Sequence, residues 1–170
     1  MYQKGEYVIY GNNGICKVEE IGIPMGTPME NNGKEYYTLS PVFGTGNIYV
    51  PLDTKVFMRP ILTKEQAEAL IGQIPQIQCE IFEGKDVRAL SEKYKGCLDT
   101  HQCEDLVKLV KTVYQKEKVM VEKGKKLAKT EQDFAKLAKE LLHREFSMAL
   151  ELPYEEVEGY IAEKVKAMSK

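Results

Sequence analysis

The sequence predicts an α+β protein of two modules, a small β module over residues 1–59 and an all-α helical module over residues 60–170. Three observations carry this reading. The chain opens as a strand-turn-strand, with β-forming runs on either side of Asn12-Asn13-Gly14, residue types that tolerate the positive φ of tight hairpin turns. Short β-rich runs then recur between Pro- and Gly-containing breaks as far as Pro60. Beyond Pro60 the apolar residues fall into the i, i+3, i+4, i+7 spacing of helices buried on one side.

Residues 6–11 and 14–21 form the first hairpin, with Tyr7, Ile9, Ile15 and Val18 as β-formers. Residues 23–33 contain Pro24, Gly26, Pro28 and Gly33, which break regular structure. A third strand covers Lys34 to Leu39, and Phe43-Gly44-Thr45-Gly46 is a turn. Asn47 to Val50 is the fourth strand, stopped by Pro51, and Val56-Phe57-Met58 is a candidate fifth. Short strands with frequent turns predict a small, strongly curved sheet or barrel.

In the second module Thr63 is the expected N-cap of a short helix ending near Gln73, with Gln66 at the capping-box position. Residues 75–82 read as a connector whose apolar Ile77, Ile81 and Phe82, with Ile74 before them, are available for packing. Four further helices follow. Segment 86–98 carries Val87, Leu90, Tyr94 and Leu98 on one stripe, and 102–118 carries Leu106, Val107, Val110, Val113 and Tyr114. Segment 130–149 carries Phe134, Leu137, Ala138, Leu141, Leu142 and Met148, with Thr130 and Asp133 as its expected start. Segment 153–168 carries Tyr154, Val157, Ile161, Val165 and Met168. Pro153 suits the first turn of the last helix, and Glu155 and Glu156 complement its N-terminal dipole.

With 29% charged and 43% hydrophobic residues, the composition is that of a soluble globular chain. No apolar run approaches the roughly 20 residues that span a bilayer, and Met1-Tyr2-Gln3-Lys4 lacks the apolar core of a secretory signal. A cytoplasmic protein with no membrane partner is expected. Cys16, Cys79, Cys97 and Cys103 form no C-x-x-C pair and lie at no metal-ligand spacing with a histidine, so reduced thiols packing as small hydrophobes, and no metal, are expected. His101 and His143 are expected at the surface. No phosphate loop, nucleophile pair or facing carboxylates occur in the sequence, so neither a catalytic residue nor a cofactor is expected. The net charge of −2 is unevenly spread: residues 85–147 carry +4 and the other segments are acidic. That basic segment is either a solvated helical face or a phosphate-contacting one.

The chain resembles the CarD/CdnL-type bacterial transcription regulators. The resemblance rests on Lys4-Gly5-Glu6-Tyr7-Val8-Ile9-Tyr10 followed by Asn13-Gly14-Ile15, on Lys34-Glu35-Tyr36-Tyr37-Thr38-Leu39, and on Ile48-Tyr49-Val50-Pro51. In the helical part it rests on Tyr94-Lys95, Leu127-Ala128 and Glu145 to Leu152. It implies an N-terminal Tudor-like β-barrel, shared with transcription-repair coupling factors, that docks on the RNA polymerase β subunit. It also implies a helical module that contacts promoter DNA at the upstream edge of the opening bubble. Asn47, Ile48, Tyr49, Val50 and Pro51 then become the candidate polymerase-binding residues, as an edge or an internal strand. The candidate DNA contacts are Lys85, Arg88, Leu90, Lys93 and Lys95 near one helix, and Lys123, Lys125, Lys126 and Lys129 at a helix junction beside Gly124. Lysine and arginine contacts of this kind are salt-dependent and blind to sequence.

The chain departs from the family pattern at three places. Tyr49 stands where the family usually has an Arg, and the basic residue that the family often has near Pro24 is absent. Leu90 stands where the family wedges a Trp into the minor groove, and the chain has no Trp. Leu90 either wedges between base steps or packs with Val87, Tyr94 and Leu98. The expected function is a transcription regulator that docks on polymerase and stabilises the open promoter complex. The alternative is a polymerase-docking adaptor whose helical module binds protein rather than DNA. A Tudor-like RNA-binding role is a third reading, against which the basic charge lies outside the β module.

Overall fold

The computed structural model describes residues 2–79 and 86–168. They divide into two units, Met1–Ile61 and Leu62–Lys170, which are described separately.

The first unit is a five-stranded antiparallel sheet of β1 (Tyr7–Tyr10), β2 (Ile15–Gly22), β3 (Tyr36–Pro41), β4 (Ile48–Pro51) and β5 (Met58–Pro60), in the spatial order β4-β3-β2-β1-β5. The Asn-Asn-Gly turn is a short 3₁₀ segment, Gly11–Asn13, closed by Gly14 at φ 74°, and Tyr10 N–H donates to Gly14 C=O at 3.0 Å. Alternation along the strands places Val8, Cys16, Val18, Tyr37, Leu39 and Val50 in one buried cluster. β2 carries a register shift between Val18 and Glu20, which bends the longest strand. Among the described residues β4 and β5 do not pair with each other, so the expected barrel is an open sheet with two edges. The fifth strand is displaced from the expected 56–58 to Met58–Pro60, where its register with Tyr10, Ile9 and Val8 of β1 places it.

Among its described residues the second unit carries five α-helices, α1 (Lys64–Gln73), α2 (Val87–Asp99), α3 (Cys103–Glu122), α4 (Lys129–Leu150) and α5 (Tyr154–Met168). Thr63 closes the expected capping box, accepting from Gln66 N–H at 3.1 Å while Gln66 Oε1 accepts from Thr63 N–H at 2.9 Å. Of the connector, Glu80 to Lys85 lie outside the described residues. The Lys111 ammonium gathers the carbonyls of Ile74 and Ile77, at 2.8 and 2.7 Å, binding the end of α1 to α3.

The core of this unit joins Leu70, Ile71, Leu90, Tyr94, Leu109, Phe146 and Val157 from all five helices. Five stripe residues expected inside are exposed instead, namely Val87 at 53%, Tyr114 at 58%, Leu137 at 44%, Tyr154 and Met168. Val87, Tyr154 and Met168 are the terminal residues of their helices, where little of the unit lies alongside, and Leu137 sits at the side of its stripe, so periodicity alone does not set which positions are covered. α4 starts after Ala128 with no side-chain cap, so Thr130 and Asp133 do not begin it. His143 is buried rather than at the surface. Its ring packs against Tyr154, and burial, reinforced by Lys139 and opposed by Glu158, holds its pKa below the usual histidine value.

Gly96 lies inside α2 at an exposed position, and a Cβ there would meet nothing within 4 Å. Gly96→Ala should therefore raise stability by about 0.5–1 kcal/mol in urea unfolding followed by circular dichroism.

Candidate functional site

β4 is one of the two sheet edges, pairing only with β3 through Tyr36↔Pro51, Tyr37↔Val50, Thr38↔Tyr49 and Leu39↔Ile48. Leu52 N–H donates to Glu35 C=O at 3.3 Å, just beyond the strand. In an antiparallel ladder hydrogen-bonded and non-hydrogen-bonded pairs alternate. Val50 and Ile48 therefore bond inward to β3, and Tyr49 turns its N–H and C=O to the open edge. Pro51 shares that outward orientation and has no N–H to offer. Ile48 and Val50 point their side chains to the sheet core, Val50 being fully buried, while Tyr49 stands half-exposed beside Thr38 on the other face. Asn47 is exposed and precedes the strand. At the far edge, β5 ends in Pro60, which likewise offers no N–H outward. Both edges are thus short and interrupted by proline, a standard guard against indiscriminate strand pairing. Tyr49 is the one outward-facing residue inside β4 that keeps both backbone groups.

The basic candidates behave differently from one another. Lys85 lies outside the described residues. Arg88 and Lys95, seven residues apart on α2, share an exposed face with Glu92, which Arg88 meets at 3.8 Å. Such a solvent-exposed pair contributes little stability. Lys93 is exposed but sits ~140° around the helix from Arg88, so α2 presents no single basic face. Lys123, Lys125, Lys126 and Lys129 are all exposed around the turn from α3 to α4. Their spacing is set by a Schellman motif: Lys125 N–H donates to Met120 C=O at 2.8 Å, Gly124 N–H donates to Val121 C=O at 3.0 Å, and Gly124 takes φ 70°.

Leu90 is 7% exposed and belongs to the helical core. Its side chain packs one turn before Tyr94, the core alternative of the two that the sequence offered for this residue. Leu90→Trp should overpack the site and destabilise the unit by about 1–3 kcal/mol in denaturant titration, with no gain in promoter-complex lifetime.

Beneath the junction lies a polar group that the apolar pattern did not reveal. Tyr94, fully buried, donates its hydroxyl to Glu131 Oε2 at 2.5 Å, and Lys116 Nζ reaches the same oxygen at 2.8 Å. Glu131 is 3% exposed in the first turn of α4, and the three side chains tie α2, α3 and α4 together. Burial and the bond to Glu131 push the Tyr94 phenol well above its usual range, so it remains a neutral donor. Glu145, also buried, accepts from Leu62 N–H at 2.9 Å and meets Cys103 Sγ at 3.2 Å. A capping-type or charge-pair role for either glutamate was invisible in a sequence where both sit among helix-forming polar residues. The four cysteines form no disulfide, and no group of His, Cys, Asp and Glu able to hold a metal occurs among the described residues.

Residues 2–62 match the family model of the CarD-like/TRCF RID domain. The match ends within a residue of the first unit's boundary at Ile61. The class is therefore that of proteins with an RNA polymerase-interacting, transcription-related module. The first unit is a CarD-like/TRCF RID domain, and the chain is a protein carrying that module ahead of a five-helix unit. Comparison with curated proteins gave no match. No helix among the described residues is long and apolar enough to cross a membrane.

Proposed function

We propose that this chain is a bacterial, cytoplasmic transcription regulator that acts by binding, without a catalytic centre or cofactor. Its sheet, a Tudor-like module, docks on the RNA polymerase β subunit along β4, with Asn47, Ile48, Tyr49, Val50 and Pro51 at the contact. Its helical unit steadies the open promoter complex through sequence-blind phosphate contacts from the basic junction. The observation that carries the docking half is the coincidence of the RID match with the unit whose β4 turns the Tyr49 backbone to an open edge. A partner strand added there gains main-chain hydrogen bonds, with the Tyr49 ring as an anchor. The DNA half is supported by the four exposed lysines held around the Schellman turn.

A second reading keeps the docking and gives the helical unit a protein partner. It is favoured by Leu90, which occupies the core at the position where the family has its groove wedge. The two readings separate on a forked promoter duplex titrated at several salt concentrations in the presence of polymerase. Salt-dependent stabilisation of the complex supports the first, and docking without any such gain leaves the second.

A further inference from the structure

We infer that the exposed face of α3 formed by Tyr114, Lys118 and Val121 is a stacking surface for single-stranded nucleic acid. The inference rests on the reading of the helical unit as nucleic-acid-binding and names a surface beyond the lysine junction. Tyr114, Lys118 and Val121 follow i, i+4, i+7 spacing and so share one side of α3. All three are exposed, Tyr114 at 58% and Val121 at 64%, although a tyrosine and a valine on a helix stripe would ordinarily be buried. The Lys118 ammonium lies over the Tyr114 ring, 4.7 Å from its centroid, so a cation sits on one face of an exposed aromatic ring.

The stripe runs directly into the turn that displays Lys123, Lys125, Lys126 and Lys129. From residue 114 to 129 the exposed charges are five lysines against two glutamates. A surface apolar enough to be covered, yet bordered by this excess of positive charge, complements a polyanion that also carries flat apolar groups. Unpaired nucleotides have both, and duplex DNA keeps its base faces stacked internally. An aromatic ring for the base with a basic track for the backbone is the general solution for binding a single strand without reading its sequence.

The test uses the full chain and labelled oligothymidine, with a duplex of the same length as the comparison. Tyr114→Ala should weaken oligothymidine binding roughly 5- to 150-fold, the loss of one stacked base, and leave duplex affinity and its salt slope unchanged. The ring is exposed, so circular dichroism and the melting temperature should not move. Because the chain has no tryptophan, Tyr114→Trp provides a single, selectively excitable tryptophan that oligothymidine should quench and the duplex should not. Duplex binding with an oligothymidine affinity indifferent to Tyr114→Ala, or an unquenched Trp, overturns the stacking surface and leaves the phosphate-contact reading standing. No binding to either nucleic acid overturns both. Binding of polyglutamate in place of either would make this face a protein surface and likewise overturn the inference.

Discussion

Glu131→Ala is expected to destabilise the helical unit by about 3–5 kcal/mol, the range for breaking a buried charge pair by removing one partner. The effect is large because one carboxylate oxygen serves two buried groups. Glu131 Oε2 accepts from the Tyr94 hydroxyl and faces the Lys116 ammonium at 2.8 Å, with Glu131 and Tyr94 almost wholly shielded from water. Truncation takes the carboxylate away from an ammonium that stays partly buried and from a buried phenol hydroxyl that donates to it. The lost Tyr94 bond also frees the ring that packs on Phe134 at 5.7 Å. Replacing the whole group tests the cause. Tyr94→Phe with Lys116→Met and Glu131→Leu removes every buried polar atom of the set, and should restore stability to within about 1–2 kcal/mol of the parent chain. A large loss in the single variant with recovery in the triple, read by chemical denaturation, separates disruption of the buried polar set from simple loss of volume. Because Glu131 is two residues from Lys129, the single variant should also loosen the junction that displays the lysines.

Tyr49→Pro is expected to weaken polymerase docking by about 2 kcal/mol or more, roughly 30-fold, while leaving the sheet intact. The asymmetry follows from the ladder. Tyr49 opposes Thr38 as a non-hydrogen-bonded pair, so its N–H is not used inside the sheet. Proline at an outward edge position is tolerated, as Pro51 already shows two residues on. The substitution removes the outward donor and the anchoring ring together. Tyr49→Phe keeps the donor and most of the ring, and should retain most of the affinity. Loss of folding in Tyr49→Pro would contradict the assigned register.

The parts of the structure written in local chemistry were legible in the sequence. Asn12-Asn13-Gly14 announced the hairpin, and Thr63 with Gln66 announced the start of α1, because turn and cap residues act through their own backbone. The Pro51 stop also marked the end of β4. What depends on distant chain segments was not legible. Whether five short strands close is decided by the pairing of β4 with β5, and no residue in either strand encodes that. Val87, Tyr114 and Leu137 fit their stripes as well as Leu90 or Phe134 do, but the width of the buried arc depends on which helices lie alongside. Glu131, His143 and Glu145 are polar residues on buried faces, and apolar periodicity passes over them by construction. The same distinction governs the candidate surfaces. The lysine junction could be read directly, and packing of Leu90 with Tyr94 and Leu98 was one of the two readings its stripe offered, whereas exposure of Tyr114 emerged only once α3 was packed.

Calorimetric titration of the full chain into the isolated RNA polymerase β lobe addresses the docking reading without involving DNA. Saturable one-to-one binding is expected from the parent chain, with retention in Tyr49→Phe and loss in a folded Tyr49→Pro. Absence of binding by the folded parent chain, or equal binding by Tyr49→Pro, would contradict docking along β4.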